Sequence, residues 1–230
     1  MGISFTWLGH SAFEMTIDGH LVAFDPFLSN NPTAAVKPEA LIPEIIFLSH
    51  AHDDHLGDTV AIAKRAKSLV VANFEICTWM GNHGVKDHHA QNPGGGYDHG
   101  FVHAKLTMAH HSSSFPDGAY GGEPTGFLLT PKETRKRIYF AGDTALFLDM
   151  QLIGEEGIEL AFLPIGDNYT MGPTDSLRAI RMIKPKFVVP MHYNTWDDIN
   201  QDVDDWARRV RSETEAEPIV LQPGGSYTLQ

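Results

Sequence analysis

Residues 44–55 read Glu44-Ile45-Ile46-Phe47-Leu48-Ser49-His50-Ala51-His52-Asp53-Asp54-His55, and this stretch decides the fold. It opens as a compact apolar run with the length of a buried strand. It then places three imidazoles and a carboxylate, those of His50, His52, Asp54 and His55, within six residues. A strand alternates its side chains between two faces, so these groups cannot all serve one site from a strand. In a tight loop they can diverge, two towards one metal ion and two towards another. The competing reading is a surface loop that is merely rich in histidine. Against it, the segment is internal, follows a buried-looking strand and is not homopolymeric.

Three more apolar runs end in metal-binding residue types. Leu106-Thr107-Met108 leads to His110 and His111, Tyr139-Phe140 leads to Asp143, and Val188-Val189 leads to His192. Donors carried on strand ends can be positioned tightly. Spacing alone does not choose between His110 and His111. Imidazole and carboxylate donors without thiolate suit Zn, Mn or Fe. The chain holds thirteen histidines and one cysteine, Cys77, which rules out a thiolate-rich zinc site and an internal disulfide.

Around these runs the pattern alternates strands and helices. Strands are expected at 3–8, 12–17, 20–24, 44–48, 69–72, 101–108, 125–129, 137–140, 159–163, 187–190 and 219–221. Asp18-Gly19 is a two-residue hairpin signal. Helices are expected at 56–66, from the cap Asn73 to Gly81 or Gly84, at 174–183 and at 203–211. Residues 29–43 and the Gly- and His-rich 87–100 read as loops. With no repeat and no linker, the whole chain, 1–230, reads as one domain of two sheets covered by helices.

The formal net charge of −12 argues against a broad basic surface for nucleic acid. No run approaches the ~18 apolar residues of a membrane span, and no secretory signal is visible, so no membrane association is expected and the cytoplasm is the expected location.

The metal-binding segment resembles the signature of the metallo-β-lactamase superfamily. The likeness extends to Trp7-Leu8-Gly9-His10-Ser11, Asp25-Pro26-Phe27-Leu28, His111-Ser112-Ser113, Ala141-Gly142-Asp143-Thr144, Pro164-Ile165-Gly166-Asp167 through Pro173, and His192-Tyr193-Asn194-Thr195. Together these are similar to a branch of metal-dependent hydrolases related to L-ascorbate-6-phosphate lactonase. The resemblance implies an α/β (α+β) fold, a four-layer αββα sandwich with its site at one edge. It implies that His50, His52 and His111 hold a first metal, that Asp54, His55 and His192 hold a second, and that Asp143 bridges them. His111 is favoured over His110 because His-Ser-Ser is the family's pattern. Relatives with redox iron carry a glutamate where this chain has His52, which favours hydrolysis.

The expected cofactors are therefore two divalent metal ions, Zn first and Mn second. Asp54 and Asp143 are the expected catalytic carboxylates, acting on a water shared by the metals. Asp25, His110 and Asp167 are candidates for hydrogen bonds to metal-binding side chains, His10 could face the pocket, and Asn92 and Asn194 are candidates for contact with substrate. A turn-forming role competes for Asp25 and Asp167, and a loop role for His10. The expected partner is a small-molecule substrate with an ester, lactone-type or phosphorylated group. A phosphodiesterase or nuclease and a non-catalytic metal-binding scaffold are the alternatives. The resemblance also leaves room for a homo-oligomer, for which the sequence shows no self-complementary surface.

Overall fold

Asp18 and Gly19 both take positive φ, 52° and 95°, and reverse the chain between its second and third strands. A two-residue turn with both central φ positive matches the twist of the strands it joins. The structure is a computed structural model and describes residues 2–229. The strands of its first half are β1 (Ile3–Gly9), β2 (Ala12–Ile17), β3 (His20–Phe24), β4 (Ile45–Phe47), β5 (Leu69–Asn73) and β6 (His88–Gln91). Those of the second half are β7 (Gly96–Asp98), β8 (Val102–Met108), β9 (Thr125–Pro131), β10 (Arg137–Phe140), β11 (Ile158–Pro164), β12 (Phe187–Met191) and β13 (Glu217–Pro218). The final strand, β14 (Ser226–Leu229), returns to pair antiparallel with β1. Two seven-stranded sheets result, ordered β14-β1-β2-β3-β4-β5-β6 and β13-β12-β11-β10-β9-β8-β7.

Between the sheets lies an aromatic core. Phe13 meets Phe162 at 4.8 Å, Phe24 meets Phe140 at 4.6 Å and Phe47 meets Phe127 at 5.2 Å between ring centroids. Each such pair adds about 0.5–1.5 kcal/mol to the burial of its surface. The α-helices among the described residues are α1 (Asp53–Leu56), α2 (Thr59–Ala66), α3 (Phe74–Asn82), α4 (Met150–Glu155), α5 (Pro173–Ile183) and α6 (Val203–Glu213). Ile62 and Ala63 of α2 and Ile76, Cys77 and Met80 of α3 pack with Ile46, Val70 and Ala72 on the outer face of the first sheet. Leu177, Ile180 and Ile183 of α5 and Trp206 and Val210 of α6 join the cluster that includes the second sheet. The layers are thus helix, sheet, sheet, helix, the expected αββα sandwich.

Strand direction positions the site. β3, β4 and β5 run parallel to one another, as do β10, β11 and β12. β1 and β8 share those directions through two antiparallel steps each. Residues 10, 25, 50, 111, 143 and 192 therefore all leave the same end of the sandwich.

Three expectations need correction. Residues 87–100 are not a plain loop but contain β6 and β7, polar strands templated by the outer edges of the two sheets. Residues 219–221 are extended but unpaired as a strand; Ile219 N donates to Val188 O at 2.8 Å, while the ladder with β12 lies at Glu217 and Pro218. The last strand is β14 instead. The helix expected over 56–66 is two helices, α1 and α2, broken at Gly57. A Cβ there would sit 2.5 Å from the Phe27 Cα and 2.8 Å from the Pro26 carbonyl, so the chain can turn this close only with glycine.

Candidate metal centre

The contact that requires Gly57 brings α1 against the end of β3. His52 caps α1, its carbonyl accepting from His55 N at 3.0 Å and Leu56 N at 2.8 Å. His50 thus precedes the helix, His52 stands at its cap, and Asp54 and His55 ride its single turn. This is how the short segment sends its side chains in different directions. Gly142, at φ 62°, does the same for Asp143: a Cβ would meet Ser49 Cβ at 2.9 Å and Thr125 O at 2.8 Å. Thr125 ties the sheets together beside the site, donating from N and Oγ1 to Ser49 O at 3.0 and 3.1 Å. The His111 loop is pinned by Ala51 N, which donates to Ser113 Oγ at 3.2 Å.

Among the described residues three groups of donor atoms form, each with all members within 4.8 Å of one another. The first comprises His50, His52 and His111, the second His10, Asp54, His55 and His192, and a third, His50, His55 and Asp143, joins the other two. His50 Nε2 and His52 Nδ1 face each other at 3.0 Å. Asp143 lies between the groups: Oδ1 is 3.2 Å from His55 Nε2, and Oδ2 is 3.0 Å from His192 Nε2 and 3.6 Å from His111 Nε2. His50, His55, Asp143 and His192 are buried, whereas the Asp54 side chain is 29% exposed. The site therefore opens to solvent on its Asp54 side.

Burial disfavours charge on imidazole, and it pushes His50 well below the usual histidine range. His52 and His111 are lowered for the same reason, and burial followed by the neighbouring His192 lowers His10 to about 4. His55 runs the other way. Burial would lower it, but Asp143, Asp25 and Asp54 outweigh that and raise it well above the usual range. Burial opposes ionisation of Asp143 and Asp54 too. His192 and His55 hold Asp143 well below the usual carboxylate range, and His55 and His10 hold Asp54 below it. The field of this pocket favours neutral imidazoles in one group and positive charge where the carboxylates converge.

These features fit divalent metal ions. His55 Nε2 and Asp143 Oδ1 are buried without a hydrogen-bond partner, although they stand 3.2 Å apart. Two ring nitrogens face each other at 3.0 Å across the first group. A buried donor and acceptor left without a partner, as His55 Nε2 and Asp143 Oδ1 are, are costly unless something else satisfies them. The donor set of imidazole and carboxylate, without thiolate, suits Zn, Mn or Fe.

The seven expected ligands His50, His52, Asp54, His55, His111, Asp143 and His192 all lie in this cluster. So does the support expected of Asp25. Its Oδ2 accepts from His55 Nδ1 at 2.7 Å and Ser49 Oγ at 2.6 Å, and its Oδ1 from Ser49 N at 2.8 Å. His10 joins the second group with its side chain 0% exposed.

The other candidates lie elsewhere. His110 stacks on Phe147 at 4.8 Å and 11°, and its backbone bonds Thr144 and Ala145; it belongs to no donor group among the described residues. Asp167, at φ 62°, is exposed and closes its own turn by accepting from Asn168 N and Thr170 N. Asn194, at φ 56°, folds the following loop by accepting from Gln201 N at 2.7 Å. Asn92 is exposed at the turn between β6 and β7, on the outer edges of the sheets. His110 thus packs on Phe147, and Asp167 and Asn194 close turns. Sequence reasoning passed over Ser49, which links Asp25 to His50 Nδ1 at 3.0 Å. Trp196 packs edge-on over His10 at 4.9 Å while 39% exposed, which makes it part of the rim of the site.

Comparison with known proteins agrees with this geometry. The beta-lactamase superfamily domain matches residues 4–192. A UPF0173 metal-dependent hydrolase of Thermus thermophilus is 48% identical over 218 residues, covering 95% of each chain. One from Bacillus cytotoxicus is 48% identical over 227 residues, covering 96% of this chain and 97% of its own. The solved structure of the metallo hydrolase Igni18 from Ignicoccus hospitalis superposes with a TM-score of 0.91 at 34% identity, over 100% of this chain and 99% of that one. An isothiocyanate hydrolase from Delia radicum gut bacteria shares the fold at 18% identity, with a TM-score of 0.78 over 99% of each chain. The chain belongs to the beta-lactamase superfamily and, within it, to the UPF0173 metal-dependent hydrolases.

Proposed function

We propose that the protein is a hydrolase that works with two divalent metal ions on a small molecule carrying an ester, lactone-type or phosphorylated group. The observation that carries this reading is the position of Asp143, whose two oxygens reach His55 on one side and His111 and His192 on the other. His50, His52 and His111 would hold one cation and Asp54, His55 and His192 the other. Zn is the first choice and Mn the second. Bound there, the cations would supply Lewis acidity, lowering the pKa of a water towards neutrality and polarising the bond to be cleaved.

The chain's own residues supply the rest. Asp143, anchored by the Gly142 turn, fixes the distance between the groups. Asp54, the solvent-reached carboxylate, accepts a hydrogen bond from the attacking water and orients it. Asp25 and Ser49 hold His55 and His50 by their far nitrogens, so that Nε2 of each faces inward. A net charge of −12 favours a small substrate over a nucleic acid, and the cytoplasm is the proposed setting.

The test is a hydrolysis screen on purified protein whose metal content is measured in the same sample. The panel holds lactones, phosphorylated lactones, esters, thioesters, isothiocyanates, phosphodiesters and a β-lactam, each with and without chelator. Chelator-sensitive cleavage of a lactone or ester is the expected result. Cleavage confined to phosphodiesters would replace the reading with a phosphodiesterase. Two bound metals with every bond class untouched would favour a metal-binding scaffold.

A further inference from the structure

We infer that His10 is a positioning residue for Asp54, and through Asp54 for the metal ion held with His55 and His192; the inference rests on the two-metal reading above. Asp54 stands on a single helical turn with its side chain 29% exposed. Its carboxylate accepts one hydrogen bond from a side chain among the described residues, at Oδ2 from His10 Nε2 at 3.2 Å. The neighbouring donors are better anchored. His55 is held by Asp25 at 2.7 Å, and His50 has Ser49 at 3.0 Å. The next ring nitrogens, His192 Nε2 and His55 Nε2, stand 3.8 and 3.9 Å from Asp54 Oδ2, beyond hydrogen-bond distance.

His10 is built to be rigid. Its Nδ1 pairs with Thr195 Oγ1 at 2.7 Å, a buried contact 185 positions away in sequence. Its ring packs on His192 at 4.2 Å, beneath Trp196 at 4.9 Å. Its carbonyl accepts from Trp7 Nε1 at 2.9 Å and from His192 N at 3.2 Å. The residue itself sits at φ 56°, a conformation that a histidine keeps only when its surroundings hold it there. Three segments, the end of β1, the end of β12 and the 194–196 loop, thus fix one imidazole whose free nitrogen points at one carboxylate oxygen.

Partners of this kind set metal affinity without binding the metal, and their loss costs about 10–100-fold. The effect should be confined to one ion, because His10 joins the Asp54 group and not the His50, His52 and His111 group.

The experiment is a stepwise Zn²⁺ titration against a competing chelator. Wild type, His10→Ala, His10→Gln and Thr195→Val are compared, with circular dichroism as the check on folding. In His10→Ala the second equivalent should weaken by about 10–100-fold while the first is unchanged. Glutamine places an N–H near the position of Nε2, so His10→Gln should recover most of the loss. Thr195→Val keeps the ring but removes its anchor; it should shift the second equivalent in the same direction by less, and it carries the test if His10→Ala does not fold. An unchanged second equivalent in a folded His10→Ala overturns the inference. So does His10→Gln binding as weakly as His10→Ala, which would make His10 a direct ligand. A wild-type protein that takes up fewer than two equivalents overturns the two-metal reading itself.

Discussion

Asp25 and His55 meet at 2.7 Å, and neither side chain is exposed. The carboxylate accepts from His55 Nδ1, so the imidazole turns Nε2 towards Asp143. Asp25→Asn keeps the shape but allows the amide to present N–H to that nitrogen. Zn²⁺ affinity, measured by chelator competition, should fall by about 10–100-fold with little change in the fold. An affinity equal to wild type would show that His55 does not need this partner.

Asp143→Ala removes the one carboxylate that reaches both donor groups. Metal content should drop below two per chain, and turnover of any substrate found in the screen should be lost. Normal activity in this variant would refute the two-metal assignment.

The adjacent histidines should separate cleanly. His111→Ala deletes a donor of the first group and should lower both metal content and activity. His110→Ala removes a ring stacked on Phe147 and should cost about 1 kcal/mol in stability with the metal retained. Parallel measurements of metal content and thermal midpoint decide the case; the reverse order would reassign the ligand.

In chelator, stability should peak near pH 6.5. His10, His50, His52 and His111 have lowered pKa values in the folded chain, so below their ordinary value of 6.5 the unfolded chain binds more protons and stability falls with pH. His10, lowered to about 4, alone accounts for about 3 kcal/mol by the acid end of its window. His55 has the opposite sign. Its contribution is complete below 6.5 and is lost as pH rises through its raised folded value. Thermal midpoints in chelator between about pH 4 and about pH 8 should trace this dome. A monotonic rise across the range would contradict the raised His55.

Gly57→Ala should destabilise by about 1–3 kcal/mol or more, because the new Cβ meets backbone at 2.5 Å and the residue keeps φ at 39°. It should also weaken metal binding, since the same contact sets α1 against Asp25. Chemical denaturation together with a metal titration tests both effects.

The candidate ligands were legible because His50, His111, Asp143 and His192 each come just after an apolar run, and such runs announce strand ends. The hairpin at Asp18-Gly19 and the cap at Asn73, which accepts from Ile76 N at 2.8 Å, were legible from local backbone chemistry. β6 and β7 were not, because His88–Gln91 and Gly96–Asp98 owe their form to neighbouring strands and not to their own pattern. Ile219 misled in the opposite sense: it is apolar and buried, yet it packs as coil. Asp167, Asn194 and His110 lie one to three residues from strand ends or ligands, and in sequence a residue that shapes a turn looks like one that faces the site. Proximity in the chain could not separate the two; φ and hydrogen-bond partners do. The Asp54–His10–Thr195 connection, 185 positions between its last two members, leaves no local trace at all.

Three residues at the site, His10, Asp25 and His192, hold positive φ of 56°, 40° and 56° without being glycine. Glycine at any of them would ease the backbone, and each would then lose the side chain that the centre depends on. Selection for heat resistance alone would push these positions one way, and selection for chemistry the other. Variants recovered from a thermal screen that ignores turnover should therefore gather at such positions, and their catalytic loss would trace where the fold has been held back from its own optimum.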